Sequence, residues 1–189
     1  MNIELRKMTI GDTKDTDFVN WSRPYEYGYV LDELKDEDAG STVHNTACGN
    51  EPIHLLFQEK LNDLGLKVTN SDAFIKDENS GRIVKYDIRE KCDNKYDVVL
   101  CISTLEHLCR DEREKAFLNL LDSTKKRLII TMDCPDVSVS EVINWIYFLK
   151  QKKRILLVDV EDEQLNTHNS IFQAPELGMK TIILLDITL

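Results

Sequence analysis

The chain has 189 residues, 42% hydrophobic and 31% charged, with a net charge of −10 at pH 7. That length suits one domain with a core, and the acidic balance argues against a nucleic-acid partner, whose phosphates need cations. No apolar run is long enough to span a bilayer, and the first residues, MNIELRKMTIGDTKD, are too polar for a signal peptide.

Residues 1 to about 33 precede the first expected strand. Trp21 to Tyr29 is dense in aromatics, and Val30, Leu31 and Leu34 predict a short amphipathic helix. Residues 1–40 therefore read as a lid or cap segment, or as a segment packed on the outside of a sheet, and residues 41–189 as the core of one domain. Asp36 to Gly40 is a polar turn.

Ser41 to Ala47 reads as a strand entering a tight turn at Cys48-Gly49-Asn50. Pro52 suits the first turn of a helix, where no hydrogen bond is lost. Ile53, Leu56, Leu61 and Leu64 give that helix an apolar face, and Gly65 caps it. Leu66 to Thr69 is a second strand leading to Asp72. Strand, glycine turn, helix, strand and acid form a unit that sets a ligand against backbone amides and the positive end of a helix. A carboxylate at the second strand's tip suits a ribose diol, since it accepts from two hydroxyls at once.

Arg82 to Asp87 is a third short strand after a polar loop at Lys76 to Gly81. Val98 to Ile102 is apolar on both faces, as in a central parallel strand, and ends in Ser103-Thr104-Leu105-Glu106-His107-Leu108. Asp111 with Glu114 has capping-box spacing before Phe117, Leu120 and Leu121. Arg127 to Met132 is a fifth strand, closed by Asp133-Cys134-Pro135. Ser138 with Glu141 opens another helix, Ile155 to Val160 is a sixth strand, and Thr181 to Ile187 a seventh after a loop at 161–179. The alternation predicts an α/β fold: a seven-stranded, mostly parallel sheet with helices on both faces and the last strand antiparallel. The five cysteines show no zinc-like spacing, so they read as reduced thiols of a cytoplasmic protein.

With these motifs in place the chain, from about Thr42 to its end, resembles the class I S-adenosylmethionine-dependent methyltransferases of the small-molecule branch. Val43-His44-Asn45-Thr46-Ala47-Cys48-Gly49 lies where that family has a strand, an acid and a glycine turn. Asp72 stands at the distance of its ribose acid, and Tyr96 to Leu108 matches its fourth strand and following loop. The resemblance implies S-adenosylmethionine as cofactor and a small-molecule or sugar-like acceptor. Asn45, Ala47 and Gly49 would lie along the methionine part, Asp72 on the ribose, Asp87 and Ile88 near the adenine, and Ser103 and Thr104 beside the cofactor. Glu106 and His107 would border the substrate. The glycine motif is degenerate. Asn45 replaces the acid, Ala47 the first glycine, and Glu51 a later small residue.

In-line methyl transfer requires alignment and exclusion of water, and a hydroxyl acceptor also requires a base. His107 is the candidate, because histidine ordinarily titrates near neutral pH. The alternative is that it only caps its loop. His44 reads as a structural histidine and His54 as a helix-surface residue. Glu106-His107 has no second cluster with ligand-like spacing, so no metal is expected. Base methylation is argued against, because Ser103-Thr104-Leu105-Glu106 stands where that chemistry carries its Asn/Asp-Pro-Pro-Tyr motif. The changes at 45, 47 and 51 favour a second account, a non-catalytic methyltransferase-fold protein serving as a binding or assembly module. A dehydrogenase of the same sheet class is a third, opposed by the single glycine. No substrate domain is expected after the last strand, so acceptor selectivity falls to the N-terminal segment, the loops after strands four and five, and residues 161–179. The oligomeric state is left open.

Overall fold

The computed structural model describes residues 1–8, 12–18, 22–50, 52–76, 81–134, 136–152, 157–160, 171–174 and 178–189. Trp21, Glu51, Pro135 and most of residues 161–179 lie outside them; the described residues of that last stretch are strand and not the expected loop.

The elements run β1 (Asn2–Lys7), α1 (Arg23–Leu34), β2 (Thr42–Thr46), α2 (Pro52–Asp63), β3 (Lys67–Asp72), β4 (Val84–Lys85) and β5 (Tyr96–Ile102). A 3-10 turn at Leu105–His107 follows, then α3 (Arg110–Ser123), β6 (Thr124–Cys134), α4 (Val139–Lys152), β7 (Leu157–Val160), β8 (Ile171–Ala174) and β9 (Gly178–Thr188). They form one nine-stranded sheet in the order β4-β3-β2-β5-β6-β9-β1-β7, with β8 paired to β9. All seven expected strands are present. β9 runs antiparallel to β1, β6 and β8, while the other pairings are parallel. The reversed last strand is thus as expected, in a mixed sheet.

Three further expectations are corrected. Residues 2–7 do not precede the sheet but enter it, between β9 and β7. Ile3 and Leu5 join the same core as Val99 and Leu128 and, on β9, Ile183, Leu185 and Ile187, so the alternation in NIELRK is a strand signal. The third strand is only Val84–Lys85, an exposed edge pair. Helix α3 starts earlier than Asp111: Cys109 is its N-cap, and Glu112 reaches back to the Cys109 amide.

The helices cover both faces of the sheet. On one face α3 and α4 bring Phe117, Leu120, Trp145 and Leu149 against Val99, Cys101 and Ile130. On the other, α1 and α2 bring Tyr27, Val30, Phe57 and Leu61 against Val98, Leu100 and Ile129. Consecutive residues of β5 thus serve opposite cores, which is why that strand is apolar throughout.

Phe18, Tyr27 and Tyr29 pack into the core on the face of the sheet covered by α1 and α2. Tyr27 stacks on Phe57 at 4.0 Å between ring centroids, and Phe18 meets Tyr27 edge-on at 4.8 Å. At Gly28 a Cβ would lie 2.7 Å from both the Asp15 amide nitrogen and the Thr13 carbonyl oxygen, so glycine lets residues 13–15 cross α1 backbone to backbone. The helix's far end is tied down by the Tyr29 hydroxyl, which donates to Asp186 at 2.9 Å, and by Arg127, which bridges Asp186 and Glu33.

Candidate functional site

The sheet is wound outward in both directions from β2 and β5, so the carboxyl ends of these two strands form a topological switch point. Open α/β sheets bind ligands there. A cleft of about 470 Å³ lies at that place. Asn45, Ala47, Gly49, Asp72, Asp87, Ile88, Ser103, Thr104 and His107 all line it. Glu106 is not among its lining residues.

Asp72 ends β3. Its two carboxylate oxygens accept from the backbone amides of Gly49 and Phe74, each at 2.8 Å. Each oxygen has two lone pairs, so each retains capacity for a further donor from the cleft. Phe74 is 79% exposed and stands on the rim. Its carbonyl accepts from the Asn50 side chain at 2.6 Å, which orders the loop after β3.

The turn after β2 departs from ordinary backbone geometry. Ala47 has φ 48° and Gly49 φ 75°. The left-handed region suits Gly49, but at Ala47 a Cβ sits where the resembled family has glycine. A Cβ on Gly49 would also meet His54 Nε2 at 2.6 Å. The space above Gly49 thus holds an imidazole. The Tyr27 hydroxyl and His54 Nδ1 are 2.9 Å apart, which ties α1 to α2 at the cleft. His54 is therefore a cleft residue and not simply a helix-surface one.

Ser103 also adopts a left-handed conformation, φ 44°. Its hydroxyl donates to Glu26 Oε1 at 2.6 Å, and the Thr131 hydroxyl donates to the same oxygen. Ser22 and Arg23 donate to Glu26 Oε2 at 2.7 and 2.6 Å. Burial pushes the Glu26 carboxyl up, but the Arg23 guanidinium and three hydroxyl donors outweigh it and hold the group below its ordinary value. This buried ion pair fastens α1 to the ends of β5 and β6. Arg23 itself lines the cleft and lies over the Tyr27 ring, 5.6 Å from its centroid.

Asp87 is clamped by Arg89, whose Nε and Nη2 donate to both carboxylate oxygens while Nη1 donates to Glu112. These hydrogen bonds hold Asp87 below the ordinary carboxylate range. Ile88 is buried next to it. His107 sits on the 3-10 turn, exposed at the mouth of the cleft. Glu106 is buried, with no hydrogen-bond partner at Oε2 among the described residues. Burial first, and then the nearby Asp133 and Glu26, push its carboxyl up to about 8.

His44 lies under the turn and outside the lining. Its Nε2 is 2.7 Å from Ser71 Oγ, its ring is tilted against Tyr86 and Tyr96, and burial lowers its imidazole to about 4. It is a neutral structural histidine. Among the described residues no group of three or more His, Cys, Asp or Glu could hold a metal ion, and no helix is long and apolar enough to cross a membrane. All five cysteines are free thiols.

Sequence reasoning missed Arg23, Tyr27, His54 and Arg89. The Ser22-Arg23-Pro24 helix start and the Glu26 acid four residues after Ser22 were visible, but nothing local indicated that they reach the ends of β5 and β6.

Solved structures share this architecture. The magnesium protoporphyrin IX methyltransferase of Synechocystis PCC 6803, solved with bound S-adenosylmethionine, superposes with a TM-score of 0.54 at 15% identity. That match covers 83% of this chain and 77% of the other. The methyltransferase domain of a bacterial Hen1 matches at a TM-score of 0.54 and 16% identity, covering 86% of this chain and 97% of that one. No protein-family model and no curated protein matches the chain. The fold is therefore that of the Rossmann-like methyltransferases.

Proposed function

We propose that the protein is an S-adenosylmethionine-dependent methyltransferase acting on a small-molecule or sugar-like acceptor. The observation that carries this reading is Asp72, placed at the strand tip beside the switch point with acceptor capacity to spare on both oxygens. The residues present fit the donor. Asp72 would take the ribose hydroxyls, and Ile88 with the exposed Phe74 ring would offer apolar surface to the adenine. Asn45 would take the amino group of the methionine part, alongside the backbone of Ala47 and Gly49 and the wall made by His54. Ser103 and Thr104 close the floor. Asp87 would serve the base by exchanging one of its Arg89 bonds. When bound, the donor supplies a methyl group activated by its sulfonium.

The chain's own work is alignment and proton management. Arg23, Tyr27 and His54 form a continuous wall fixed by the Glu26 network, which holds the cleft's shape. His107, exposed at the mouth, would take the proton of a hydroxyl acceptor. Glu106 is buried away from the lining, so we assign it no contact with the acceptor. A cleft of about 470 Å³ suits a nucleoside cofactor with a small partner, and the net charge of −10 disfavours nucleic acid.

The non-catalytic binding module is the second reading. It is favoured by the groups already engaged at the site: Arg89 on Asp87, Glu26 on Ser103 and His54 over Gly49. Incubating the protein with S-adenosylmethionine and a panel of small hydroxyl and amine acceptors, and measuring S-adenosylhomocysteine released, separates the two. Turnover that falls at least about tenfold in His107→Ala with hydroxyl acceptors is expected. Donor binding without turnover on any acceptor would favour the module.

A further inference from the structure

We propose that Asn70 and Gln58 are positioning residues. Through a relay of three amides they turn the Asn45 carbonyl oxygen toward the cleft, so that the site selects a cationic amino group there. This inference rests on the methyltransferase reading above.

Asn45 and Asn70 stand directly opposite each other on β2 and β3. Two residues earlier the same face of the same strands carries Val43 opposite Val68, an apolar pair under α2. At the cleft the face becomes amide. Burying amides is costly unless each is hydrogen-bonded, so apolar residues would serve a purely structural position more simply. Asn45 is 3% exposed and Asn70 2%.

The bonds have a direction. The Asn70 Nδ2 donates to Gln58 Oε1 on α2 at 2.9 Å, which leaves Asn70 Oδ1 facing β2. The Asn45 Nδ2 donates to that oxygen at 3.0 Å. Asn45 Oδ1 is then the free end of the relay. It accepts no hydrogen bond among the described residues, and Asn45 lines the cleft. An amide reversed at this position would present donors and favour an anion. In the orientation set by Asn70 it presents an acceptor and favours an ammonium. The relay thus supplies by orientation part of what the missing carboxylate would supply by charge.

The test compares two nucleosides by calorimetry. S-adenosylhomocysteine carries the amino group, while 5′-methylthioadenosine keeps the adenosine and the sulfur but lacks the amino-acid tail. In Asn70→Leu the affinity for S-adenosylhomocysteine should fall about tenfold, as for one hydrogen bond to a charged group, with 5′-methylthioadenosine unchanged. Asn70→Asp keeps an acceptor for the Asn45 amide and adds a negative charge beside the subsite, so its affinity for S-adenosylhomocysteine should not fall below that of wild type. Gln58→Leu, at the half-buried outer end of the relay, should show a smaller loss for S-adenosylhomocysteine alone, and gives the same readout should Asn70→Leu not fold. Unchanged S-adenosylhomocysteine affinity in folded Asn70→Leu and Gln58→Leu, or equal loss of both nucleosides, would overturn the relay. Wild-type protein that binds neither nucleoside would overturn the proposed function and this inference with it.

Discussion

Replacing Glu26 by glutamine should destabilise the protein by about 3–5 kcal/mol at pH 7, the cost of breaking a buried ion pair from one side. The carboxylate is completely buried and takes two donors on each oxygen: Ser103 and Thr131 on one, Ser22 and Arg23 on the other. Glutamine offers one oxygen and one NH2, so whichever way it turns, two donors face a donor. A serine hydroxyl can rotate and accept instead, but the guanidinium of Arg23 has no acceptor capacity. Urea unfolding followed by circular dichroism, with an unchanged slope, measures the loss. A chain of this size should lose about 6–20 °C in melting temperature. The pH dependence gives an independent check. Because the folded Glu26 is held below its ordinary value, its stabilisation is full above about pH 4.3 and is lost as pH falls through the folded value. That acid-side loss should be absent in Glu26→Gln. Arg23→Met combined with Glu26→Met should recover only part of the stability, since it removes both buried charges but leaves the hydroxyls of Ser22, Ser103 and Thr131 without their acceptor. A Glu26→Gln protein within about 1 kcal/mol of wild type would refute the reasoning.

Other outcomes follow from the same geometry. His44 is lowered to about 4 by burial, so its contribution is full above its ordinary value and is lost as pH falls from about 6.5 toward 4. That loss amounts to about 3 kcal/mol and should disappear in His44→Phe, read from melting temperatures across that range. Glu106 runs the other way: its folded value is raised to about 8, so wild type should lose stability as pH rises from about 4.5 through 8. Glu106→Gln should therefore melt higher than wild type at pH 9 and nearly the same at pH 4.5. At Ala47, φ 48° tolerates glycine but not a β-branched side chain. Ala47→Val should cost about 1–3 kcal/mol in urea unfolding, and Ala47→Gly less than about 1 kcal/mol in either direction.

Much of the fold was legible because its signals are local. Val98 to Ile102 is apolar at every position because both of its faces meet helices, and Gly65 caps α2 at φ 81°. The strand Asn2–Lys7 was missed although Ile3 and Leu5 alternate with polar residues. Six residues before an aromatic segment carry no sign of which strands they will join, and the pairings to residues 157–160 and 183–188 span most of the chain. The helix start at Cys109 was missed because cysteine is a less familiar cap than Asp111 two residues on. At the site, Gly49 and Asp72 were visible from strand-turn-helix spacing, and Asn45 only through the family resemblance. Glu26 and Arg23 were not, because a buried acid and its partner look like an ordinary exposed i,i+3 helix pair until the sheet ends close around them. His54 was hidden for the same reason: it becomes a cleft residue only through Tyr27, 27 positions away in sequence.

The most direct measurement is a calorimetric titration with S-adenosylhomocysteine, on wild type and on Asp72→Ala, with circular dichroism to confirm that both are folded. The account predicts micromolar binding by wild type and its loss in Asp72→Ala, where the carboxylate beside Gly49 is gone. A folded wild-type protein that shows no binding at millimolar ligand would contradict it.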